Sequence, residues 1–383
     1  MVALTGAAVA APTALGLTRA QQLAIERSPQ MAAYDAAIAA ARHLAVPPAQ
    51  PSEATRQTGI APLPVEDADA LSYGRDVNPV RRTDVAREVA SPEQREALAQ
   101  RYAREADRAA AEKTAITVDI ARDAALAWLD CYYVEKLSRV AGEGLKAAQA
   151  ELEGAESMYW AGRASQADFY GARSALVMLE DKSSEVEHRV RAARIALKRW
   201  VGDAGDVPLD GLPNIDRVRL RAGALEGDLA RQPDVALLER QEDLAASDLR
   251  LAQANRQPQR EMAVMVARRD VAHAAREEKL RAKVAELRAM IDQWQQARDR
   301  RNRYANELVP LARERTVATL AAYRGGKASL TDVLGARRTE SEMQMQSVEM
   351  ERETAHLWAR LDFALPDALP SAQTGALSQE NPR

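Results

Sequence analysis

Cysteine is nearly absent: the chain of 383 residues holds one, Cys131, inside the apolar-periodic run AWLDCYYVEKL. A single thiol excludes an intrachain disulfide and a thiolate metal cluster, and its setting predicts a half-buried helix residue. Phenylalanine occurs twice and aromatics make up 4% of the chain, although 46% of its residues are apolar. Most of that apolar count is alanine, which is a long-helix composition. No run of 18 apolar residues occurs, so no transmembrane helix is expected. Neither sign of charge dominates: 28% of residues are charged and the net charge is −3, which gives no electrostatic case for a nucleic-acid partner. Histidines His43, His188, His273 and His356 stand far apart without metal-ligand spacing, and neither a metal site nor a cofactor is expected. Two readings stand for Met343, Met345 and Met350 in SEMQMQSVEM: contact with a soft metal such as copper or silver, or gap filling on a helix, the ordinary role. The basic run at 298–315 is interleaved with Asp299, Glu307 and Glu314 and reads as a solvated helix face. No G-x-S-x-G, P-loop or G-x-G-x-x-G stands in a strand-turn-helix setting, so no enzyme is expected.

What the chain does have is a duplication. YWAGRASQADFYGARS at 159–174 is echoed by YRGGKASLTDVLGARR at 323–338. Upstream of each copy a short helical turn meets a proline, Pro29 or Pro233, and continues as a long Ala/Leu helix. Self-similarity of this kind implies a repeated architecture. Between the first opening helix and Ser91 lie Pro47, Pro48, Pro51, Pro62, Pro64 and Pro79, which forbid a continuous helix. The second half has only Gln257-Pro258-Gln259 at that place. Beyond these points, Pro92 to Trp160 is a predicted helix of roughly 69 residues and Arg260 to Tyr323 its counterpart of about 64, each on the order of 100 Å. Pro310 is expected to kink the second. The shorter helices, Thr18–Val46 with Ser165–Trp200 and Leu225–Arg256 with Ser329–Phe363, sum to roughly the same length in each half. Each half is therefore expected to lay one long helix antiparallel to two stacked shorter ones.

The expected organisation is a signal-like or disordered segment (1–16), a duplicated helical domain (17–365; first half 17–215 with a Pro-rich insert at 47–91, second half 220–365) and a disordered tail (366–383). The opening MVALTGAAVAAP reads as the last part of a secretory signal, with Ala8-Val9-Ala10 in small-x-small spacing, and export is expected.

The echoed motif writes a tight turn between antiparallel helices. Gly162 and Gly326 suit the left-handed position after a helix end. Ser165 and Ser329 suit caps of the next helix, with Asp168 and Asp332 three residues on completing an acidic capping box. Arg163 and Lys327 place positive charge at the preceding helix end, where the dipole favours it. Capping leaves Tyr159/Tyr323, Gly171/Gly335 and Ala172-Arg173/Ala336-Arg337 unexplained. The small residues among them permit close approach of another helix and suggest a docking surface.

With its two YxxGxxSxxDxxxxAR tips, Pro-broken opening helices and duplicated halves, the chain resembles the TolC-like outer-membrane efflux factors over about 300 residues. ALAWLDCYYVEKL, ELVPLARERTVATLAAYRGGKASLTDVLGARR and ETAHLWARLDFALP look closest to the heavy-metal branch typified by CzcC. The resemblance implies an all-α fold of long antiparallel hairpins in two duplicated halves, forming the protomer of an α-barrel. It implies a homotrimer at the outer membrane and periplasm, a periplasmic adaptor docked at Gly162, Arg163, Ser165, Asp168, Gly326, Lys327, Ser329 and Asp332, and an inner-membrane RND-class pump exporting heavy-metal cations. Arg173 and Arg337 become candidate gating residues. In that family each half also inserts a pair of membrane strands after its short helix. The insert at 47–91 shows no apolar-out alternation and only Tyr73 as an aromatic, and the second insert is absent, so little or no β-barrel is expected. The alternative is a helical coiled-coil scaffold without channel activity.

Overall fold

The computed structural model describes residues 14–46, 91–220, 229 and 232–364. Among these every regular element is helical, and the one β contact is an isolated parallel bridge between Leu15 and Leu209. The helices are α1 (Leu17–Arg27), α2 (Pro29–Ala45), α3 (Pro92–Trp160), α4 (Gln166–Val201), α5 (Pro233–Ala254), α6 (Gln259–Arg303), α7 (Val309–Arg324) and α8 (Leu330–Asp362). A 3-10 turn, Gly202–Asp206, follows α4, and a π turn, Tyr304–Leu308, joins α6 to α7.

Prolines start helices here because a first-turn residue has no intrahelical use for its N–H. Pro29, Pro92 and Pro233 each occupy the first position of their helix. Ahead of Pro92, the Ser91 hydroxyl accepts from the Gln94 N–H at 3.1 Å while the Ser91 N–H donates to Gln94 Oε1 at 2.7 Å. That reciprocal pair satisfies two of the donors that the α3 start leaves open. Between α5 and α6 the chain turns tightly through Arg256, whose φ is 51°. No strand stands at that place in the second half. The Pro-rich insert, save its last residue Ser91, lies outside the described residues, as do most of the signal-like segment and all of the 366–383 tail.

The chain folds into two compact units. In the first (Met1–Asp35, Ala110–Glu239 and Ala274–Arg383), α1 and the start of α2 run antiparallel to α3. Gln21 Nε2 donates to the Ala121 carbonyl at 3.2 Å, Thr117 Oγ1 to Met31 Sδ at 3.3 Å, and Tyr34 lies against Glu112 at 3.2 Å. Farther along α3, α4 takes over in the same antiparallel sense, from Ala172 beside Ala155 to Arg194 paired with Glu135. The opening helix, expected over Thr18–Val46 and split at Ser28 into α1 and α2, and then α4 thus run antiparallel to the one long helix. The second unit (Ala36–Ala109 and Arg240–His273) is held by Arg101 Nε on Asp248 Oδ1 at 2.8 Å and His273 Nδ1 against Glu242 Oε1 at 2.8 Å.

Alanine stripes let the helices of the first unit approach closely, and a few large side chains fill what remains. Trp128 and Leu129 are fully buried and Tyr133 nearly so. Each buried indole removes enough apolar surface to stabilise the fold by on the order of 4–6 kcal/mol. Each also finds a partner for its N–H: Trp128 Nε1 donates to the Leu15 carbonyl at 2.8 Å, Trp294 Nε1 to Ile215 at 3.2 Å and Trp358 Nε1 to Arg217 at 3.0 Å. These bonds tie the segments leading into each half onto the core. Cys131, expected half-buried, is fully buried, because its helix face turns toward α4 and not toward solvent.

Pro310 does not break the helix. Arg303, Leu308 and Val309 keep right-handed helical dihedrals, and the Val309 N–H donates five residues back, to the Tyr304 carbonyl. A wider π turn ahead of Pro310 accommodates the missing N–H and the ring.

Candidate functional site: two hairpin tips

At the first tip α3 ends in a left-handed glycine, Gly162 with φ 71°, and at the second α7 ends in Gly326 with φ 68°. The Gly162 N–H donates to the Tyr159 carbonyl at 3.0 Å and the Arg163 N–H to Met158 at 2.8 Å; the second tip repeats both, Gly326 to Tyr323 at 2.9 Å and Lys327 to Ala322 at 2.8 Å. This pair of bonds is the Schellman motif, which satisfies carbonyls that a helix end leaves open. The next helix is then capped. The Ser165 hydroxyl accepts from the Asp168 N–H at 3.1 Å while Asp168 Oδ2 accepts from the Ser165 N–H at 3.0 Å. At Ser329 and Asp332 the distances are 3.2 and 2.9 Å. The Ser329 hydroxyl and N–H together hold the Asp332 carboxyl below its ordinary range.

The two tips sit side by side. Ala155 and Ala172 of the first half pack with Leu330 and Val333 of the second, flanked by Leu152, Leu320, Tyr323 and Leu334. Tyr323 Oη donates to Met158 Sδ at 3.1 Å, so the repeated tyrosine is a clasp between tips. Neither repeated glycine is required by crowding: a Cβ at Gly171 would lie 3.8 Å from Leu334 Cδ1, an ordinary contact, and around Gly335 nothing lies within 4 Å.

Identical sequence does not mean identical surroundings. Arg337 Nε donates to Glu151 Oε1 at 2.9 Å and lies 3.6 Å from Glu340, tying α8 to α3. Burial pushes the Glu151 carboxyl above its ordinary value, against the pull of Arg337. Arg173, its repeat partner, is exposed. Gly162, Arg163, Gly326 and Lys327 also face solvent, forming with Ser165 and Ser329 an exposed rim of backbone and positive charge.

Trp160, Phe169 and Tyr170 at the first tip escaped the sequence reading. Trp160 is 78% exposed and Tyr170 53%, while Tyr159 stacks on Phe169 at 5.8 Å between centroids. The available signal was composition: one of only two phenylalanines lies here.

Away from the tips, a polar network joins α3 to α8. Arg352 Nε donates to Asp130 Oδ1 at 2.7 Å, His356 Nε2 lies 2.9 Å from the same oxygen, and Lys136 Nζ meets Glu351 at 2.5 Å. Burial alone would raise the Asp130 carboxyl, but His356 and Arg352 outweigh it and hold it low. A groove of about 540 Å³ beside this network, between α6 and α8, mixes Arg300, Arg352 and Arg360 with Glu349 and Glu353. Three arginines stand against two glutamates there, so the lining is of mixed sign with one positive charge in excess. Among the described residues no group of three or more His, Cys, Asp or Glu is placed to hold a metal ion, and no helix is long and apolar enough to cross a membrane.

No known family model matches the chain, and no curated protein sequence matches it. Solved structures do. A membrane protein from Pseudomonas aeruginosa superposes with a TM-score of 0.72 at 14% identity, over 91% of this chain and 93% of its own. The outer membrane protein VceC of Vibrio cholerae gives 0.68 at 16% identity, over 92% and 96%. The open-state MtrE outer membrane channel of Neisseria gonorrhoeae gives 0.66 at 14%, over 92% and 89%. The likeness, at 14–16% identity, is one of fold.

Proposed function

We propose that this chain is the channel-side element of a tripartite efflux assembly. Three copies form a helical conduit at the outer membrane and periplasm, and helical hairpins of a periplasmic adaptor dock on the paired tips. An inner-membrane pump of the RND class supplies the energy, and this chain supplies a passage. The observation that carries the reading is the pair of tips: one residue set built twice, side by side, with its glycine, basic and capping residues facing solvent. A fold shared with outer-membrane channels supports it. Heavy-metal cations as cargo follow from the sequence resemblance to the CzcC-like branch. Gating in this reading is motion of the α7–α8 hairpin against α3, with the Arg337–Glu151 bridge as the latch.

The test is reconstitution in cells that lack their own channel of this class. Supplied with this chain, its adaptor and its pump, they should regain resistance to divalent metal cations. Replacing Arg163 and Lys327 together by Glu should abolish that resistance while leaving the helical signal and melting temperature unchanged. Full resistance in the double variant would sink the docking role of the tips. A wild-type chain that captures no adaptor hairpin would favour a helical scaffold instead.

A further inference from the structure

Helix α6 is apolar on two faces over about its first four turns. One face, with Met262, Met265 and Ala272, is half-buried and lies on the side from which His273 reaches Glu242 of α5 at 2.8 Å. The other carries Arg260, Val264, Ala267, Arg268 and Val271, which stand three or four residues apart or a multiple of that and fall within one arc of about 100°. All five are exposed, Val264 at 48% and Val271 at 69%. Valine is a poorer helix former than alanine, so two valines turned toward water gain nothing for the helix itself.

The charges of this segment are as uneven as its faces. Between Leu249 and Arg268 stand four arginines, Arg250, Arg256, Arg260 and Arg268, and one carboxylate, Glu261. All four arginines are exposed, and none pairs with a carboxylate among the described residues. In the same unit Arg101, Arg104, Arg108, Arg240 and Arg269 each have an acid at 2.7–3.1 Å. Unmatched positive charge thus gathers at the α5–α6 turn, with Arg256 at the corner itself.

We propose that this turn and the outward face of α6 rest on an anionic phospholipid surface. Arg256, Arg260 and Arg268 meet headgroup phosphates, while Val264 and Val271 enter the boundary between headgroups and acyl chains. Arginine lays its stem along apolar surface and extends its charge to phosphate, so a helix face that alternates arginine with valine suits a lipid interface. A nucleic acid would use the arginines and leave the valines wet. A second copy docked on the same face would set arginine against arginine. From Arg260 to Val271 the face runs roughly 17 Å at the helical rise, so the contact lies along the surface, and no described helix is apolar enough to cross. The contact rests on the outer-membrane reading above for its place in the cell, and its chemistry is independent of the tips.

The full chain is sedimented with vesicles of phosphatidylcholine, alone or mixed with phosphatidylglycerol. Binding should require the anionic lipid and weaken as salt rises. Arg256→Gln, Arg260→Gln and Arg268→Gln should each weaken it by about fivefold, and Val264→Ser with Val271→Ser by about tenfold or more at unchanged charge. All five positions are exposed, so the helical signal and melting temperature should stay those of the wild type. Depth is read with an environment-sensitive fluorophore on Val264→Cys, the buried Cys131 being left in place. Its emission should shift to the blue on anionic vesicles, whereas the same label on Val317→Cys, exposed on α7, should not move. No binding to either vesicle, equal binding to both, or full binding by the arginine variants overturns the contact. Full binding by the double serine variant overturns it too, leaving a solvated cationic face. So does a blue shift without vesicles that grows with protein concentration, which would put a second copy on the stripe. Each of these failures leaves adaptor capture at the tips standing. A chain that binds the vesicles as described but captures no adaptor keeps the lipid contact and removes the efflux reading.

Discussion

Gly326 offers the sharpest test of how the tips are built. Its φ of 68° lies in the left-handed region, and no atom lies within 4 Å of where a Cβ would stand. Steric crowding therefore contributes nothing, and the whole effect of Gly326→Ala is the backbone cost of placing a side chain there, about 1–2 kcal/mol. Read by native-state hydrogen exchange at the Gly326 and Lys327 amides, whose partners are Tyr323 and Ala322, that cost becomes about 5- to 30-fold faster exchange. Asn tolerates the left-handed region, so Gly326→Asn should recover most of the loss. Gly335 is the internal control. It is also open but sits inside α8 at ordinary helical dihedrals, so Gly335→Ala should slow exchange of the isolated chain by roughly two- to fivefold, through about 0.5–1 kcal/mol of helix propensity. Opposite signs at two unobstructed glycines of one tip isolate backbone conformation as the cause. The reasoning fails if Gly326→Ala leaves exchange unchanged or if Gly326→Asn accelerates it as much as Gly326→Val. A corollary concerns docking: a bulky residue at Gly326 perturbs the hairpin itself, so Arg163 and Lys327 are the cleaner probes of the rim.

Acid should loosen the second tip through Asp332. Its folded-state value is depressed by the Ser329 hydroxyl and N–H, so its contribution is present above the ordinary unfolded carboxylate value of about 3.9 and is lost as pH falls through the lower folded value. Exchange protection at the α8 start should therefore hold from neutral pH down to about 4 and then drop; Asp332→Asn should erase that step, and a drop between pH 5 and 7 would implicate another group. At the first tip, Ser165→Ala should cost about 1 kcal/mol by removing the cap on the Asp168 N–H, seen as faster exchange at that amide; an unchanged rate would mean the cap is not formed in solution. Cys131 is fully buried, and burial pushes its thiol up to about 12. A disulfide reagent should leave it unmodified in the native protein at mildly alkaline pH, reacting only on unfolding, and immediate stoichiometric reaction would show that the α3 face is open.

The tips were legible in the sequence because their chemistry is local. A glycine after a helix end, a Ser three residues before an Asp and a proline at a helix start act within one turn of themselves. The extent of α3, Pro92 to Trp160, follows from the same signals. What stayed hidden depends on partners far along the chain. The three indole bonds join residues 79 to 141 positions apart, and nothing near Trp128 in sequence announces Leu15. Pro310 was readable as a perturbation but not as a π turn, since a one-residue widening of the backbone bonds depends on the packing of the whole hairpin. Arg173 and Arg337 occupy matching motifs, yet only the structure separates them, because Glu151 stands beside one and no acid stands at the matching position, Arg315, for the other.

That divergence bears on how a duplicated chain avoids pairing wrongly. Identical halves would offer two interchangeable seams, one within the chain and one between chains, and nothing would make a chain close on itself first. Here the capping and glycine chemistry is kept in both tips, so their geometry is the same, while the side chains around it differ. Leu330 and Val333 are buried in the internal seam, where the equivalents Gln166 and Phe169 are exposed and half-buried. The internal seam also has the Arg337–Glu151 bridge, whereas the repeat equivalents Arg173 and Arg315 are both exposed cations. The internal contact is thus the stronger by both apolar burial and charge, and it benefits from the high effective concentration of a tethered partner. A chain built this way favours pairing of its own halves, and Tyr170, Val177 and Ile195 stay exposed on α4.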